Sequence, residues 1–439
     1  MKIKLGIFPY SSFRLQFNTI GDIITNINRL NIPLIVEKCF LVIWTVALFG
    51  IIYYKNIPFI LRDYGMMGEK YMNVHVKGNE QVLQTLNEWY FKIRARDLDA
   101  AISLKDKIDL VINEFKEEEI LMLHYYLIDF RHNYLLNNLG ISTDSFDIIE
   151  TFDIPQDNSL TYYYHFFKAI YYNAIGNYQS SQKFYDKAES LLKYINNELE
   201  IAEFHYMLGY KFYETYKGFL ALQELSKAKR IFSKYTECEN NVAFCNNLLG
   251  LTYADLDEFE LANKYYTLAL NAFKNIKEET FILMVKQNIA LMHAKQDRPD
   301  LAIQFLSEVN KKMLNNYKAL FVEAREYVKL LEKDVACERI ERGINICKNL
   351  GIEEYLHHFR ILQALNDDVD ASKLEIIILE GIEYFEKQKI SEYTKEYQEH
   401  LAHKYYEQKN YLKSCEYFEL SRKKKNIFKK GDLNEETTS

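Results

Sequence analysis

The sequence is poor in residues that interrupt helices, with 5 prolines and 15 glycines among 439 residues. Turns and strand ends draw heavily on these two residues, so their scarcity argues against a turn-rich β fold and favours long helices. Apolar residues make up 48% of the chain, which is enough material for a large core. The composition therefore predicts an all-α protein.

The cysteines form no metal-binding or redox pattern. They lie at Cys39, Cys238, Cys245, Cys337, Cys347 and Cys415. No two of them form a CxxC pair, and no cluster of histidines accompanies them. Protein zinc sites draw ligands from closely spaced cysteines and histidines, so we expect no metal site. Scattered thiols fit a reducing compartment better than a disulfide framework, which favours a cytoplasmic location.

The chain is acidic overall, with a net charge of −7, although this does not exclude a small basic patch. Proteins that bind nucleic acids generally carry a basic face, so we expect no nucleic-acid partner. The sequence contains no phosphate-cradling glycine loop, no HExxH motif and no hydrolytic triad in a usable order. We therefore expect no cofactor of the protein's own.

Residues 1–71 are difficult to interpret. Residues 39–54 form an uncharged apolar run, CFLVIWTVALFGIIYY, between Lys38 and Lys55. The run is shorter than the ~20 residues that span a bilayer, and no cleavage site of a signal peptide follows it. Three interpretations stay open: a short membrane anchor, a buried or interfacial helix, or translation from upstream of the true start.

We favour the third interpretation, because a well-formed domain begins just after Met72. The codons of Gly68 and Glu69 can spell a purine-rich ribosome-binding site shortly before it. The abundance of Ile, Phe, Asn, Tyr and Lys also suits an AT-rich genome. We treat 1–71 as an uncertain extension, and attachment to a membrane through 39–54 is the alternative to a cytoplasmic location.

Three amphipathic segments follow within residues 72–142. Apolar residues recur at i, i+3, i+4 and i+7 in segments of about 80–96, 98–116 and 117–139. Three helices of this length predict a compact bundle. A short helix at about 144–152 is expected within a linker over 143–158, where Pro155 marks a boundary.

Small residues then recur at near-constant intervals. Spacings of 40, 41 and 40 residues separate Ala169, Gly209, Gly250 and Ala290. Twelve positions after these come Ser181, Ala221, Ala262 and Ala302, and nineteen after the first three come Ala188, Ala228 and Ala269. Helices that cross closely need small residues, and helix pairs of this kind bury their faces by stacking. We expect a right-handed superhelical solenoid of about seven tetratricopeptide-like repeats over 159–428, and a polar tail over 429–439.

The first helix of each repeat is expected to line a concave groove. Counting from the small residues, the predicted groove residues are Phe166, Asn173, Tyr206, Tyr210, Tyr213, Asn247, Leu251, Gln287 and Leu291. Amides can bond the backbone of an extended peptide and aromatic rings can form pockets for its side chains. The pattern therefore predicts a peptide-binding groove, near which Glu203, Glu214 and Asp255 are available to a cationic residue.

Short motifs in the bundle connect the chain to a known family. They are Leu86-Asn87-Glu88-Trp89-Tyr90, His124-Tyr125-Tyr126 and Phe130-Arg131-His132-Asn133. With these motifs in order, followed by the repeats, the chain resembles the Rap proteins of Bacillus from near Met72 almost to its C-terminus.

This resemblance implies a function and two partners. Rap proteins bind response regulators through the bundle; some hydrolyse the aspartyl-phosphate of a sporulation regulator, and others block the DNA-binding domain of a competence regulator. Short signalling peptides bind the repeat groove, compact the solenoid and shift the bundle. Any Mg²⁺ would be carried by the partner regulator.

The resemblance also assigns roles to three residues. It places Glu119 where phosphatase members have a glutamine that reaches the regulator's active site, with Met122 and Phe130 as docking neighbours. An amide orients water without repelling the phosphoryl group, whereas a carboxylate repels it. Two functions stay open: a response regulator aspartate phosphatase, and a binding inhibitor without chemistry. A peptide-sensing transcription factor is disfavoured by the acidic charge, and a membrane-tethered scaffold depends on 39–54 alone.

Overall fold

The computed structural model describes residues 80–154, 157–388 and 393–433, and every regular element in these ranges is a helix. The expectations for residues 1–71 and for Pro155 lie outside the described residues. None of the helices in the described ranges is long and apolar enough to cross a membrane.

Three helices form the predicted bundle, namely α1 (Glu80–Arg94), α2 (Leu98–Asp109) and α3 (Glu119–Leu136). Helix α1 packs against both others. The Asp97 carboxylate caps α2 by accepting a hydrogen bond from the backbone N–H of Ala100 at 3.3 Å. Helix α2 ends well before the predicted Lys116, and a 3₁₀ turn leads into α3.

The linker contains a single helical turn, α4 (Asp147–Glu150), which is shorter than the predicted segment of 144–152. Seven helix pairs follow. They are α5 (Asn158–Ala174) with α6 (Tyr178–Leu191), α7 (Glu198–Glu214) with α8 (Gly218–Phe232), α9 (Glu239–Asp255) with α10 (Phe259–Asn275), α11 (Glu279–Lys295) with α12 (Pro299–Lys312), α13 (Tyr317–Lys329) with α14 (Lys333–Leu350), α15 (Glu353–Asn366) with α16 (Ala371–Lys387), and α17 (Thr394–Glu407) with α18 (Tyr411–Leu433). The predicted all-α solenoid of helix pairs is confirmed, and α18 extends into the segment expected to be a polar tail.

The small residues that revealed the repeat lie where paired helices touch. The side chains of Ala169, Ala262 and Ala290 are fully buried. A Cβ atom added to Gly250 would lie 2.6 Å from the ring of Tyr266 on the next helix, and one added to Gly209 would lie 2.8 Å from Leu225. These contacts are shorter than side chains tolerate, so the close approach of α9 to α10 and of α7 to α8 requires glycine.

Each helix pair turns through one residue with a left-handed backbone. In chain order these residues are Gly176, Tyr216, Asp257, Asp297, Leu331, Asp368 and Lys409, with φ between 54° and 74°. The same backbone conformation thus recurs in every pair although the turn residues differ. Only the first turn uses glycine, which carries no steric penalty in this conformation.

One hydrophobic core runs through the bundle and the first repeats. A continuous cluster of buried side chains extends from Leu86 on α1 to Leu249 on α9. Helix α3 packs on α5, the first repeat helix. The bundle therefore does not have a core separate from that of the repeats.

Candidate functional site

Helix α3 presents acidic residues at its N-terminus. Glu119 is the first helical residue, Glu118 occupies the N-cap position, and both side chains are exposed together with that of Glu117. Carboxylates here stabilise the helix through its dipole. Glu119 is thus accessible to a partner, and its role stays a prediction.

Met122 and Phe130 are buried, which corrects the prediction that Met122 faces a partner, while Phe130 reaches the surface only at the wall of a cleft. Their side chains are 6% and 3% exposed, and the Phe130 ring packs edge-on against Phe146 with ring centroids 5.2 Å apart. Helix α3 is apolar around most of its circumference and neighbouring helices cover it, so Met122 has almost no contact with solvent.

The accessible apolar surface of the bundle lies elsewhere. Ile120 on α3 is 50% exposed and adjoins Glu119. At the other end of α3, an open cleft of about 490 Å³ has Phe130 among its lining residues and includes the exposed Leu136 and Ile148. Ile120, Leu136 and Ile148 are therefore available for apolar contact with a partner, whereas Met122 is not.

The bundle motifs pack against one another. The indole Nε1 of Trp89 donates a hydrogen bond to Nδ1 of His132 at 3.2 Å, and both residues are buried. His124 is fully buried, which lowers the pKa of its imidazole to about 3. The motifs that carry the family resemblance therefore hold α1 against α3.

The predicted groove residues fall into three groups by burial. Phe166 is fully buried among aromatic rings of α5, α6 and α7, so its assignment to the groove is wrong. Asn173 and Asn247 are 5% and 6% exposed and are bonded by neighbouring helices. The remaining residues are partly exposed to solvent: Tyr206, Tyr210, Tyr213, Leu251, Gln287 and Leu291.

Side-chain amides link successive repeats along this face. Nδ2 of Asn288 donates to Oδ1 of Asn247 at 2.9 Å, and Nδ2 of Asn316 donates to Oε1 of Gln287 at 2.8 Å. Asn288 and Asn316 were not predicted, although Asn288 follows Asn247 by 41 residues, which is one repeat interval. Each amide keeps further hydrogen-bonding capacity for a peptide backbone.

Three tyrosines of α7 line one stretch of the same face. The guanidinium of Arg96 lies 4.5 Å from the ring centre of Tyr206, and burial raises the pKa of the Tyr206 phenol to about 12. Burial also raises the pKa of Tyr210. These phenols are therefore neutral hydrogen-bonding groups at physiological pH.

Five buried charged residues lie between the bundle and the second repeat, and four of them were not predicted. The fifth, Glu203, was expected to be available to a cationic residue at the groove, which is wrong because it is buried and paired within the protein. We call the five residues the interface ion cluster; its members are Arg94, Arg96, Arg131, Glu200 and Glu203. Arg94 pairs with Glu200 at 3.1 Å, while Arg96 and Arg131 reach Glu203 at 3.3 Å and 2.9 Å. All five are less than 9% exposed.

Neighbouring groups complete the cluster. The phenol of Tyr90 donates to Glu200 at 2.9 Å, and Nδ2 of Asn241 donates to the backbone carbonyl of Arg94 at 2.9 Å. Burial opposes the charge on Arg94, but the Glu200 carboxylate raises the pKa of its guanidinium. Ion pairs and hydrogen bonds of the cluster therefore connect α1, α3, α7 and α9.

No group of acidic, histidine and cysteine side chains within the described ranges could hold a metal ion. The described site thus consists of an exposed acid on α3, a face of amides and tyrosines on the repeats, and the interface ion cluster between them.

Comparison with known proteins relates this arrangement to a family. Residues 76–137 match the family model of response regulator aspartate phosphatase H, N terminal. Response regulator aspartate phosphatase I of Bacillus subtilis (strain 168) is 26% identical over 367 residues, covering 81% of this chain and 93% of that protein. Regulatory protein RapK of the same organism is 26% identical over 265 residues, which are 58% of this chain and 71% of RapK. Over these lengths the chain is similar to Rap proteins of Bacillus subtilis.

Solved Rap structures share the fold. A Rap protein complexed with competence and sporulation factor superposes with a TM-score of 0.68 at 22% identity, covering 80% of this chain and 99% of that one. The match to this Rap structure extends over nearly its full length, so it includes both bundle and repeats.

Proposed function

We propose that this chain is a peptide-regulated antagonist of a two-component response regulator. The observation that carries the proposal is the combination of two surfaces on one core: a bundle that exposes Glu119 and Ile120, and a repeat face of amides and tyrosines. The names of related proteins, which include response regulator aspartate phosphatases, support the same reading. A response regulator would dock on the bundle, and a short signalling peptide would occupy the groove.

We further propose that the protein accelerates hydrolysis of the regulator's aspartyl-phosphate, as part of a sporulation phosphorelay. Aspartyl-phosphate is labile, so a side chain that orients an in-line water is sufficient for acceleration. Glu119 stands at an exposed helix start from which it can enter a partner's pocket. Any Mg²⁺ would belong to the regulator.

The deciding experiment measures phosphate release from a phosphorylated sporulation response regulator, with and without the full chain. We expect release to accelerate with wild type and to change on Glu119→Gln, while Glu117→Gln is the matched control because it is exposed but precedes the helix. Absence of acceleration at saturating protein would eliminate the enzymatic proposal.

The alternative is a binding inhibitor without chemistry, and the charge of Glu119 favours it. A carboxylate repels both the phosphoryl group and the acidic pocket of a receiver domain, whereas an amide does not. If wild type binds the regulator without releasing phosphate, and Glu119→Gln creates activity, inhibition by binding is the native function.

We place this activity in the cytoplasm, where response regulators act. Fractionation of cells tests the location, and recovery of the full-length chain with membranes would point instead to attachment through 39–54.

A further inference from the structure

The last two helix pairs of the solenoid expose large apolar side chains. Leu412 on α18 is 73% exposed, and Leu420, about two turns later, is 42% exposed. On α16, Ile376 and Leu379 are 61% and 46% exposed. The terminal repeat of a solenoid ordinarily presents a polar outer face, because no further repeat covers it. The exposed side chains therefore indicate that a partner covers this end of the protein.

Side chains link α16 to α18, so the exposed residues of the two helices belong to one surface. Nζ of Lys413 on α18 donates to the Glu375 carboxylate on α16 at 2.7 Å, and the phenol of Tyr417 on α18 donates to the same carboxylate. Ile376 follows Glu375 directly, and Leu379 lies one helical turn beyond it. We call this surface the terminal apolar patch; its members are Ile376, Leu379, Leu412 and Leu420.

The exposed face of α18 also carries an acidic block followed by a basic one. Glu416 and Glu419 are exposed, and Arg422 is exposed one turn beyond Glu419. In the sequence, residues 423–425 are all lysine and continue the basic block. Within the described part of the chain, Glu416, Glu419 and Arg422 have no ion-pair or hydrogen-bond partner. Charges of both signs are therefore available to a partner.

A second copy of the same chain has the charges that this face requires. An interface with two-fold symmetry uses the same patch on both subunits, so the patch must be complementary to itself. When two α18 helices run antiparallel with the two-fold axis beside Leu420, Glu419 of each copy faces Arg422 of the other. Helix α18 is 23 residues long, so Leu412 also lies within the overlap. A partner with charge of one sign would instead place like charges against one of the two blocks.

We propose that the terminal apolar patch is a homodimer interface in which two α18 helices pair antiparallel. Both copies of the patch meet at the two-fold axis, so each apolar side chain is covered in both subunits. The pairs of Glu419 with Arg422 of the partner lie on either side of the axis and determine the antiparallel direction. The bundle packs on the first repeats and stays accessible in both copies. This inference goes beyond the proposed function and does not depend on it.

Sedimentation velocity of the full chain, over a range of micromolar concentrations, tests the interface. We expect wild type to dimerise and Leu412→Glu to raise the dissociation constant tenfold or more, because a carboxylate would be buried in an apolar contact. Leu268→Glu is the matched control, since Leu268 is exposed on α10, the second helix of an earlier pair, and should leave dimerisation unchanged. A monomeric wild type, or equal loss in the two variants, overturns the interface.

Charge reversal tests the antiparallel direction. Glu419→Arg and Arg422→Glu each place like charges at both contacts of a homodimer, so each variant alone should dimerise at least tenfold more weakly than wild type. An equimolar mixture of the two variants restores opposite charges at both contacts, so it should form heterodimers with nearly the affinity of wild type. Both side chains are exposed, and thermal melts matching wild type would exclude unfolding as the cause. A mixture that stays monomeric overturns the antiparallel pairing.

Other occupants of the patch give different results. If the full chain is monomeric and a chain beginning at Met72 dimerises, residues 1–71 cover the patch, and the homodimer of the full chain is overturned. If wild type dimerises and neither Leu412→Glu nor the charge variants weaken the dimer, the subunits meet elsewhere, and the proposed interface is overturned.

Discussion

Glu203 shows how strongly a single buried side chain can matter. Its carboxylate is 1% exposed and accepts hydrogen bonds from two guanidiniums, that of Arg96 two residues beyond the end of α1 and that of Arg131 on α3. A buried charge that loses its partner is very costly, whereas an exposed pair contributes little.

We therefore expect Glu203→Gln to lower the free energy of unfolding by about 3 kcal/mol, since it leaves Arg96 and Arg131 buried without a counter-charge. Urea denaturation measures the change. Glu198→Gln, which removes an exposed pair on the same helix, should change the midpoint little. Equal effects of the two substitutions would show that the buried cluster contributes no more to the free energy of unfolding than an exposed ion pair does.

A second residue, His165 on α5, makes stability depend on pH. Burial, with smaller contributions from Lys187 and Lys168, lowers the pKa of its imidazole to about 4. The unfolded chain, with a histidine pKa near 6.5, then binds more protons than the folded one between about pH 6.5 and 4. Stability contributed by neutral His165 is thus present above pH 6.5 and is lost as the pH falls through this window.

We expect His165→Gln to make the fall in stability between pH 6.5 and 4 shallower, by up to about 1.4 kcal/mol per pH unit. Urea denaturation at pH 7, 6 and 5 gives the slope for both proteins. A variant whose slope matches that of wild type would show that His165 does not contribute.

At the scale of elements, the turns of the seven helix pairs require one residue with a left-handed backbone, a conformation that costs free energy for residues other than glycine. Leu331 has φ of 61° and is 78% exposed, so little packing compensates its left-handed conformation. The preceding Leu330 has an ordinary helical backbone, with φ of −78°.

Replacing Leu331 by glycine is expected to stabilise the protein by roughly 0.5–1 kcal/mol, because the relief of strain exceeds the added entropy of the unfolded chain. The same change at Leu330 should destabilise it, since glycine there adds only entropy cost. Thermal melts of both variants test the pair, and a drop in melting temperature for Leu331→Gly would contradict the strain argument.

The sequence predicts the elements better than it predicts which faces are covered. The regular spacing of Ala169, Gly209 and Gly250 indicated the helix pairs, because close helix crossings impose a local requirement for small side chains. Met122 and Phe166 were assigned to surfaces and are buried, since periodicity does not tell which neighbour packs on a helix that is apolar nearly all round. Pairs such as Arg131 and Glu203 lie on helices far apart in sequence, and one sequence carries no signal for their contact.

At the scale of the whole molecule, the described bundle and the first repeats share one core, and we expect them to open as one cooperative unit. Their shared core from Leu86 to Leu249 contrasts with the separate clusters of the later repeats, such as that between Ile361 and Tyr417. Repeat proteins open in units set by such interfaces.

Hydrogen exchange of the native protein tests this unit. We expect amides of α3 and α7 to share one opening free energy, and Glu203→Gln to lower it for both helices. Exchange in α16, which packs in the separate cluster, should be unaffected. Exchange of α3 well ahead of α7 would show that the bundle opens independently.

The interface ion cluster also limits how modules can be exchanged between related proteins. All three arginines belong to the bundle and both glutamates to α7, so each half carries charge that only the other half neutralises. A chimaera that joins this bundle to foreign repeats lacking both acids would bury three guanidiniums without compensation. A crossover beyond α7 keeps the three arginines together with both glutamates and avoids this cost.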